Sequence, residues 1–171
     1  MSHAGTQGGR PRRAARHARR GFARLGFAGL AACLLAPPAG AATLAVEDED
    51  GVVVMSLQIP AGDAWCLVWN HSVTGGRVAD CFVTRAGQMV LDRSYLHDYA
   101  AGLGEVPGRG QVRPAAGGGY WIEGIDEPIP GNRLPLRVGR ASTDHRLQVD
   151  GTDHDLSARA AGRRVTLHLI P

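Results

Sequence analysis

The sequence contains no lysine, and no acidic residue precedes Glu47. It also lacks a phosphate-cradling glycine loop, a cysteine pair at metal-ligand spacing and the glycine-flanked serine of a nucleophile elbow. These absences argue against nucleotide-binding, structural-zinc and α/β-hydrolase classes. No segment after the N-terminal region repeats apolar residues at helical spacing, which excludes an all-helical fold.

The acid-free N-terminal segment predicts an export signal over residues 1–41. Seven arginines precede an apolar run at residues 25–36, and small residues that include Ala39 and Ala41 follow it. A basic head, a short apolar middle and a small-x-small exit are typical of a cleaved signal peptide. Residues 19–22 (Arg-Arg-Gly-Phe) resemble a twin-arginine signal, and a general secretory signal is the alternative.

A competing interpretation of this segment places a lipid anchor on Cys33, because the residues before it have the form of a bacterial lipobox. Residues 34–42 remain apolar and small instead of turning polar, which favours cleavage near Ala42. We therefore expect a periplasmic protein with no membrane span after cleavage, the anchor being the less favoured alternative.

Removal of the leader reverses the sign of the charge. The 12 remaining arginines and 16 acidic residues give the mature chain a net charge of −4. Net charge therefore gives no support to a nucleic-acid partner or an anionic membrane surface.

After the leader, the pattern predicts an acidic flexible arm at residues 42–50 and one all-β domain at residues 51–171. β-branched and apolar residues alternate with polar ones between short turns, which indicates a small antiparallel sandwich or a partly open barrel built from hairpins. Strands are expected at residues 51–59, 65–73, 78–84, 87–96, 120–123, 133–139, 145–149, 152–156 and 163–170. Asp150-Gly151 is the strongest hairpin signal and pairs Val149 with Thr152. Residues 102–119 are rich in glycine and are expected to form a long loop that is either functional or disordered.

The stretch around Trp69 is interpreted as the central hairpin of the domain. If its turn spans residues 74–77, His71 faces Asp80 and Trp69 faces Phe82. The histidine and the carboxylate could form a catalytic dyad, but Ser72 would point to the opposite face and offers no nucleophile. We therefore predict a structural hydrogen-bonded pair and no enzymatic activity.

Two cysteines remain in the mature domain, and an exported chain permits a disulfide between them. In the register above, Cys66 and Cys81 lie four residues apart along the ladder, roughly 13 Å, which is too far for a bridge. A bulge or a shifted turn would bring them opposite each other, and a bridge would refute the register.

Four histidines, at positions 71, 97, 145 and 154, could in principle converge on a metal. None of them shows the close spacing of a ligand motif, so we predict no metal site and no cofactor. Trp65, Trp69 and Trp121 are assigned to core packing, with a ligand cleft as the alternative.

Three features together resemble an uncharacterised bacterial family, domain-of-unknown-function family 1850. They are the segment Trp69-Asn70-His71-Ser72-Val73, the acidic residue Asp80 after the turn, and the segment Tyr99-Ala100-Ala101-Gly102-Leu103. The second segment departs from the family pattern, because Ala100 replaces a glycine and Gly104 replaces a proline.

The resemblance to this family implies a link to tripartite TRAP transporters of the TAXI type, whose membrane subunits are often encoded beside such proteins. The chain is too short to be the two-lobed solute receptor of such a system. The resemblance therefore implies a periplasmic accessory domain that assists or regulates the transporter through contact with its membrane or receptor subunits. A stand-alone periplasmic module that binds a small ligand is the alternative.

Overall fold

A computed structural model describes residues 41–98 and 108–171. The predicted signal peptide up to residue 40, with Cys33, lies outside the described residues, and so do the motif residues Tyr99, Gly102 and Leu103. The described chain folds into eleven strands, one helical turn α1 (Ser157–Ala160) and two short 3-10 turns. No helix among the described residues is long and apolar enough to cross a membrane.

The smaller of two antiparallel sheets contains the first and last of the described strands. Its order is β2 (Val53–Ile59), β1 (Ala42–Asp48), β11 (Arg164–Ile170) and β8 (Arg133–Arg137). Thr43 faces Ile170, so the two ends of the domain are neighbours in one sheet.

The larger sheet has seven strands, arranged around the predicted central hairpin. In sheet order these are β10 (Thr152–Asp155), β9 (Arg146–Val149), β3 (Trp65–Asn70), β4 (Arg77–Arg85), β5 (Gln88–Leu96), β7 (Tyr120–Pro128) and β6 (Gln111–Pro114). Strands β3, β4 and β5 follow one another in the sheet as an antiparallel meander. The Asp150-Gly151 hairpin has the predicted register, with Val149 facing Thr152.

The two sheets enclose one main apolar core. Leu44 of β1 and Leu167 of β11 meet Trp65 of β3 and Leu147 of β9, all of them buried. Alternating apolar residues on the inner faces of both sheets produce this layer, which is the usual solution for amphipathic sheets. The prediction of an all-β sandwich is confirmed.

The predicted flexible arm at residues 42–50 is wrong. Its first seven residues form β1, which lies in the interior of the small sheet, and only the turn that follows is irregular. The acidic residues are held by distant arginines: Glu47 pairs with Arg133, and Asp48 pairs with Arg163 at 2.6 Å. The backbone N–H of Val52 also donates to Asp48 and, with Arg163, lowers the pKa of that carboxyl group.

The predicted glycine loop at residues 102–119 is wrong over residues 111–114. These residues form the edge strand β6, in which Val112 faces Ile122 of β7. Gly119 then enters β7 with φ of 72°, where a Cβ atom would lie 2.5 Å from the carbonyl oxygen of Leu96. Glycine is required there because both the backbone angle and the close approach exclude a side chain.

Candidate functional site

A disulfide between Cys66 and Cys81 fixes the central hairpin. Cys66 of β3 faces Cys81 of β4 directly, and Asn70 faces Arg77 where the pairing of these two strands ends. The predicted register, which separated the cysteines by four residues, is therefore wrong. A six-residue connection at positions 71–76 replaces the tight turn at residues 74–77.

The predicted pairing of His71 with Asp80 is wrong for the same reason. His71 lies beyond the end of β3, in the connection to β4, where its backbone N–H donates to the carbonyl oxygen of Gly76 at 2.8 Å. Asp80 lies inside β4 opposite Leu67, three residues after Arg77, with which the strand begins. The predicted pairing of Trp69 with Phe82 is also wrong, because Trp69 faces Val78.

Asp80 has a different partner on the neighbouring strand. The hydroxyl of Ser94 on β5 donates a hydrogen bond of 2.6 Å to Oδ1 of Asp80. Burial raises the pKa of Asp80, against the opposing effect of the Ser94 hydrogen bond. The residue is thus a structural acceptor within the sheet, and among the described residues no imidazole accompanies it.

His71 instead organises the connection in which it lies. Its Nδ1 atom accepts a hydrogen bond from the backbone N–H of Thr74 at 3.3 Å. The Thr74 hydroxyl in turn accepts a bond from the backbone N–H of Gly76, and Gly75 has φ of 71°. These bonds give residues 71–76, called here the motif turn, a defined local structure.

Trp69, near the end of β3 and two residues before the motif turn, contacts a second segment of the chain. Its indole ring stacks on the imidazole of His145, with a centroid separation of 6.0 Å and an angle of 5° between the planes. Nδ1 of His145 accepts the backbone N–H of Gly139, and the His145 backbone N–H donates to Ser157 Oγ at 2.8 Å. Burial lowers the pKa of His145, so the ring is held in its neutral form.

The stack brings the motif turn beside the loop at residues 139–143. Between them lies an open groove of about 680 Å³, called here the motif groove, which is lined by residues 70–75 and by Gly139, Arg140, Ser142 and Thr143. Ser72 is exposed, and Val73 is the most exposed large apolar residue described, at 86%. The loop at residues 139–143 was not among the predicted site elements, although its succession of glycine, hydroxyl and small residues is a signal for a loop.

The remaining candidates do not assemble a second site. Trp65 stacks on Phe82 in the core, at 4.5 Å between ring centroids. Trp121 lies against Tyr95 and beneath the guanidinium of Arg93, 4.7 Å from its ring centroid. Within residues 41–98 and 108–171, no three histidine, cysteine or acidic side chains could hold a metal ion together.

The comparisons with known proteins give one match. The family model described as Domain of unknown function (DUF1850) matches residues 66–156, which include the central hairpin, the motif turn and the loop at residues 139–143. Comparison with curated proteins and comparison with solved structures each gave no match. The matched residues cover more than half of the chain, and the predicted family is confirmed: the chain belongs to the DUF1850 family.

Proposed function

We propose that this protein is an extracytoplasmic accessory domain that assists a TAXI-type TRAP transporter and contacts its partner subunit through the motif turn. The observation that supports a docking role is the exposure of Val73 at the tip of a turn that is fixed on both sides. The disulfide constrains its two flanking strands, and the bond from Thr74 to His71 constrains its interior.

A fixed turn suits recognition because little conformational entropy is lost when it binds. Ordering a mobile segment at an interface costs about 0.5–1.5 kcal/mol for each immobilised flexible side chain. Valine adds a short apolar side chain whose burial by a partner is favourable, and its χ1 angle is already restricted by branching. An exposed apolar residue on such a turn is therefore an efficient anchor.

The disulfide also supports the proposed compartment. Stable disulfides persist in oxidising compartments such as the periplasm and are rare in the cytosol. Cys81 is buried in the sheet and joined to Cys66 at the base of the proposed docking element. Export to an oxidising compartment would allow this disulfide to form and to stabilise the hairpin that carries the turn.

The experiment is complementation of a gene deletion in a host that takes up a solute through a TAXI-type transporter. We expect deletion to reduce uptake, wild-type protein to restore it, and Val73→Asp to fail because a charge replaces the apolar anchor. Loss of an interface anchor worth about 2 kcal/mol weakens binding by about 30-fold. Val52→Asp is the matched control, since Val52 is also exposed, at 58%, but lies outside the motif turn.

Unchanged uptake after deletion would refute the transporter role. Equal complementation by Val73→Asp and wild-type protein would refute the motif turn as the contact. Affinity capture from solubilised membranes should recover transporter subunits with the wild-type protein and the Val52→Asp control.

The motif groove supports a second candidate, a stand-alone module that binds a small ligand. Its volume of about 680 Å³ falls within the range of small-molecule sites, about 300–1,000 Å³. A ligand that binds only the folded state at 100 times its Kd stabilises that state by about 2.7 kcal/mol. Thermal-shift screening tests this candidate, because a rise of several degrees with one compound class supports it and uniformly unchanged melting refutes it.

A further inference from the structure

We propose that the motif groove binds a small ligand through an oxyanion, either a carboxylate or a phosphate or sulfate group. The proposal rests on the second candidate function and specifies its ligand class. It follows from the side chains that line the groove, which include one guanidinium, one imidazole and four hydroxyl groups but no carboxylate.

Arg140 supplies the positive charge of the groove. Its side chain is exposed and makes no ion pair with the residues that the structure describes, and in this it resembles half of the twelve described arginines; the other six pair with carboxylates. Asp144, which directly follows this loop, forms an ion pair with Arg146 at 3.5 Å. The planar guanidinium of Arg140 is therefore available to bind a carboxylate or phosphate in bidentate fashion.

His71, which lines the groove, has a donor and not an acceptor at its Nε2 atom. Because its Nδ1 atom accepts the backbone N–H of Thr74, the neutral ring carries its proton on Nε2. The opposite side of the ring is thus an N–H donor in the neutral state and remains one when the ring is protonated. An oxyanion accepts hydrogen bonds from this group in either state.

The hydroxyl groups divide into two kinds. Thr143 Oγ1 donates to the carbonyl oxygen of Arg140, and Thr74 Oγ1 accepts from Gly76, so both help to hold the lining in place. Ser72 and Ser142 are exposed and have no hydrogen-bond partner among the described residues. Their hydroxyls can rotate to donate to a ligand oxygen. Together with His71 and the cationic guanidinium of Arg140, they make the groove rich in hydrogen-bond donors.

The positive charge in the motif groove is opposite in sign to the net charge of the mature chain. If the leader is cleaved as predicted, the mature chain carries a net charge of −4, so the protein surface as a whole would repel anions. The carboxylate of Asp98 lies close to Gly76 of the motif turn, but Asp98 is not among the residues that line the groove. Anion binding here would therefore depend on Arg140 and fall with salt concentration, because the groove is open to solvent.

The test is isothermal titration calorimetry of the oxidised protein at low ionic strength with three probes. Succinate represents carboxylates, inorganic phosphate represents phosphate and sulfate groups, and succinamide is the uncharged analogue of succinate. We expect binding of at least one anion and no binding of succinamide. The anion that binds more tightly identifies the source of the oxyanion.

Two arginine variants make the result specific to the groove. Arg140→Gln should weaken anion binding at least tenfold, about 1.4 kcal/mol. Arg164→Gln should change anion binding less than twofold, since Arg164 is also exposed, on β11, but does not line the groove. Ser142→Ala should weaken binding to a smaller extent than Arg140→Gln, because it removes one neutral donor.

Equal binding of succinamide and succinate would overturn the oxyanion proposal while leaving a ligand-binding module in place. Equal loss in both arginine variants would also overturn it, since the effect would then reflect total charge. If neither anion binds, the proposal fails, and the complementation result with Val73→Asp still decides the docking function.

Discussion

Removal of the disulfide should destabilise the domain by about 3 kcal/mol. The two cysteines are 15 residues apart, and closing a loop of this length in the unfolded chain removes conformational entropy worth about 3 kcal/mol at 25 °C. Domains of this size have total stabilities of about 5–15 kcal/mol, so the loss is a large fraction. We expect the double variant Cys66→Ala/Cys81→Ala to show it, alanine being chosen because Cys81 is buried.

The assay is urea unfolding followed by tryptophan fluorescence, since buried Trp65 reports on the core beside the hairpin. Wild-type protein with and without reductant, and the double variant under both conditions, give four free energies of unfolding. Reductant should destabilise the wild-type protein and leave the variant unchanged. A loss below about 1 kcal/mol in the variant, or a variant that still responds to reductant, would refute the loop-entropy reasoning.

Three further predictions concern the core and two carboxylates. Leu167→Ala should lower the free energy of unfolding by about 2–5 kcal/mol in the same urea assay, because Leu167 is fully buried between the sheets and its truncation leaves a cavity. A smaller loss would mean that the core collapses around this cavity. Glu47→Gln should destabilise the domain at pH 7, since the hydrogen bond with His168 and the charge of Arg133 hold the Glu47 pKa below 4.5. Urea unfolding across pH should show this difference fading below pH 4.5 as the pH falls through the lowered pKa, and a pH-independent difference would contradict it. Asp80→Asn should stabilise the domain at neutral pH, because burial raises the Asp80 pKa above 3.8 and ionisation of Asp80 disfavours the folded state as the pH rises through that pKa. Thermal melts of both proteins from pH 3 to 8 measure the difference in stability. A less stable variant at pH 7 would disprove the prediction.

Local turn chemistry explains why one hairpin register could be predicted and the other could not. Asp150 and Gly151 both have positive φ, 47° and 70°, as a two-residue turn of this type requires, and the sequence signal for such a turn is strong. In the central hairpin only Gly75 has positive φ, while Gly76 does not, so the double glycine does not form a tight turn. The disulfide sets that register, and cysteine pairing depends on the fold as a whole.

Long-range partners explain the other errors. Four consecutive acidic residues suggested a solvated arm, but Glu47 pairs with a residue 86 positions away and Asp48 with one 115 positions away. No local pattern reveals these arginines. The candidate site shows the same limit: the motif around Trp69 was identified from the sequence, whereas its stack on His145 requires the folded sheet.

The pairing of β1 with β11 has a consequence for any attempt to isolate the family domain. Residues 66–156 contain most of the large sheet but omit β1, β2 and β11, which cover its inner face. A fragment cut at those limits would expose Leu147 and its apolar neighbours to water and is not expected to fold autonomously. The small sheet can close only after the C-terminal strand has been synthesised, so the high contact order of this pairing makes it a late event in folding.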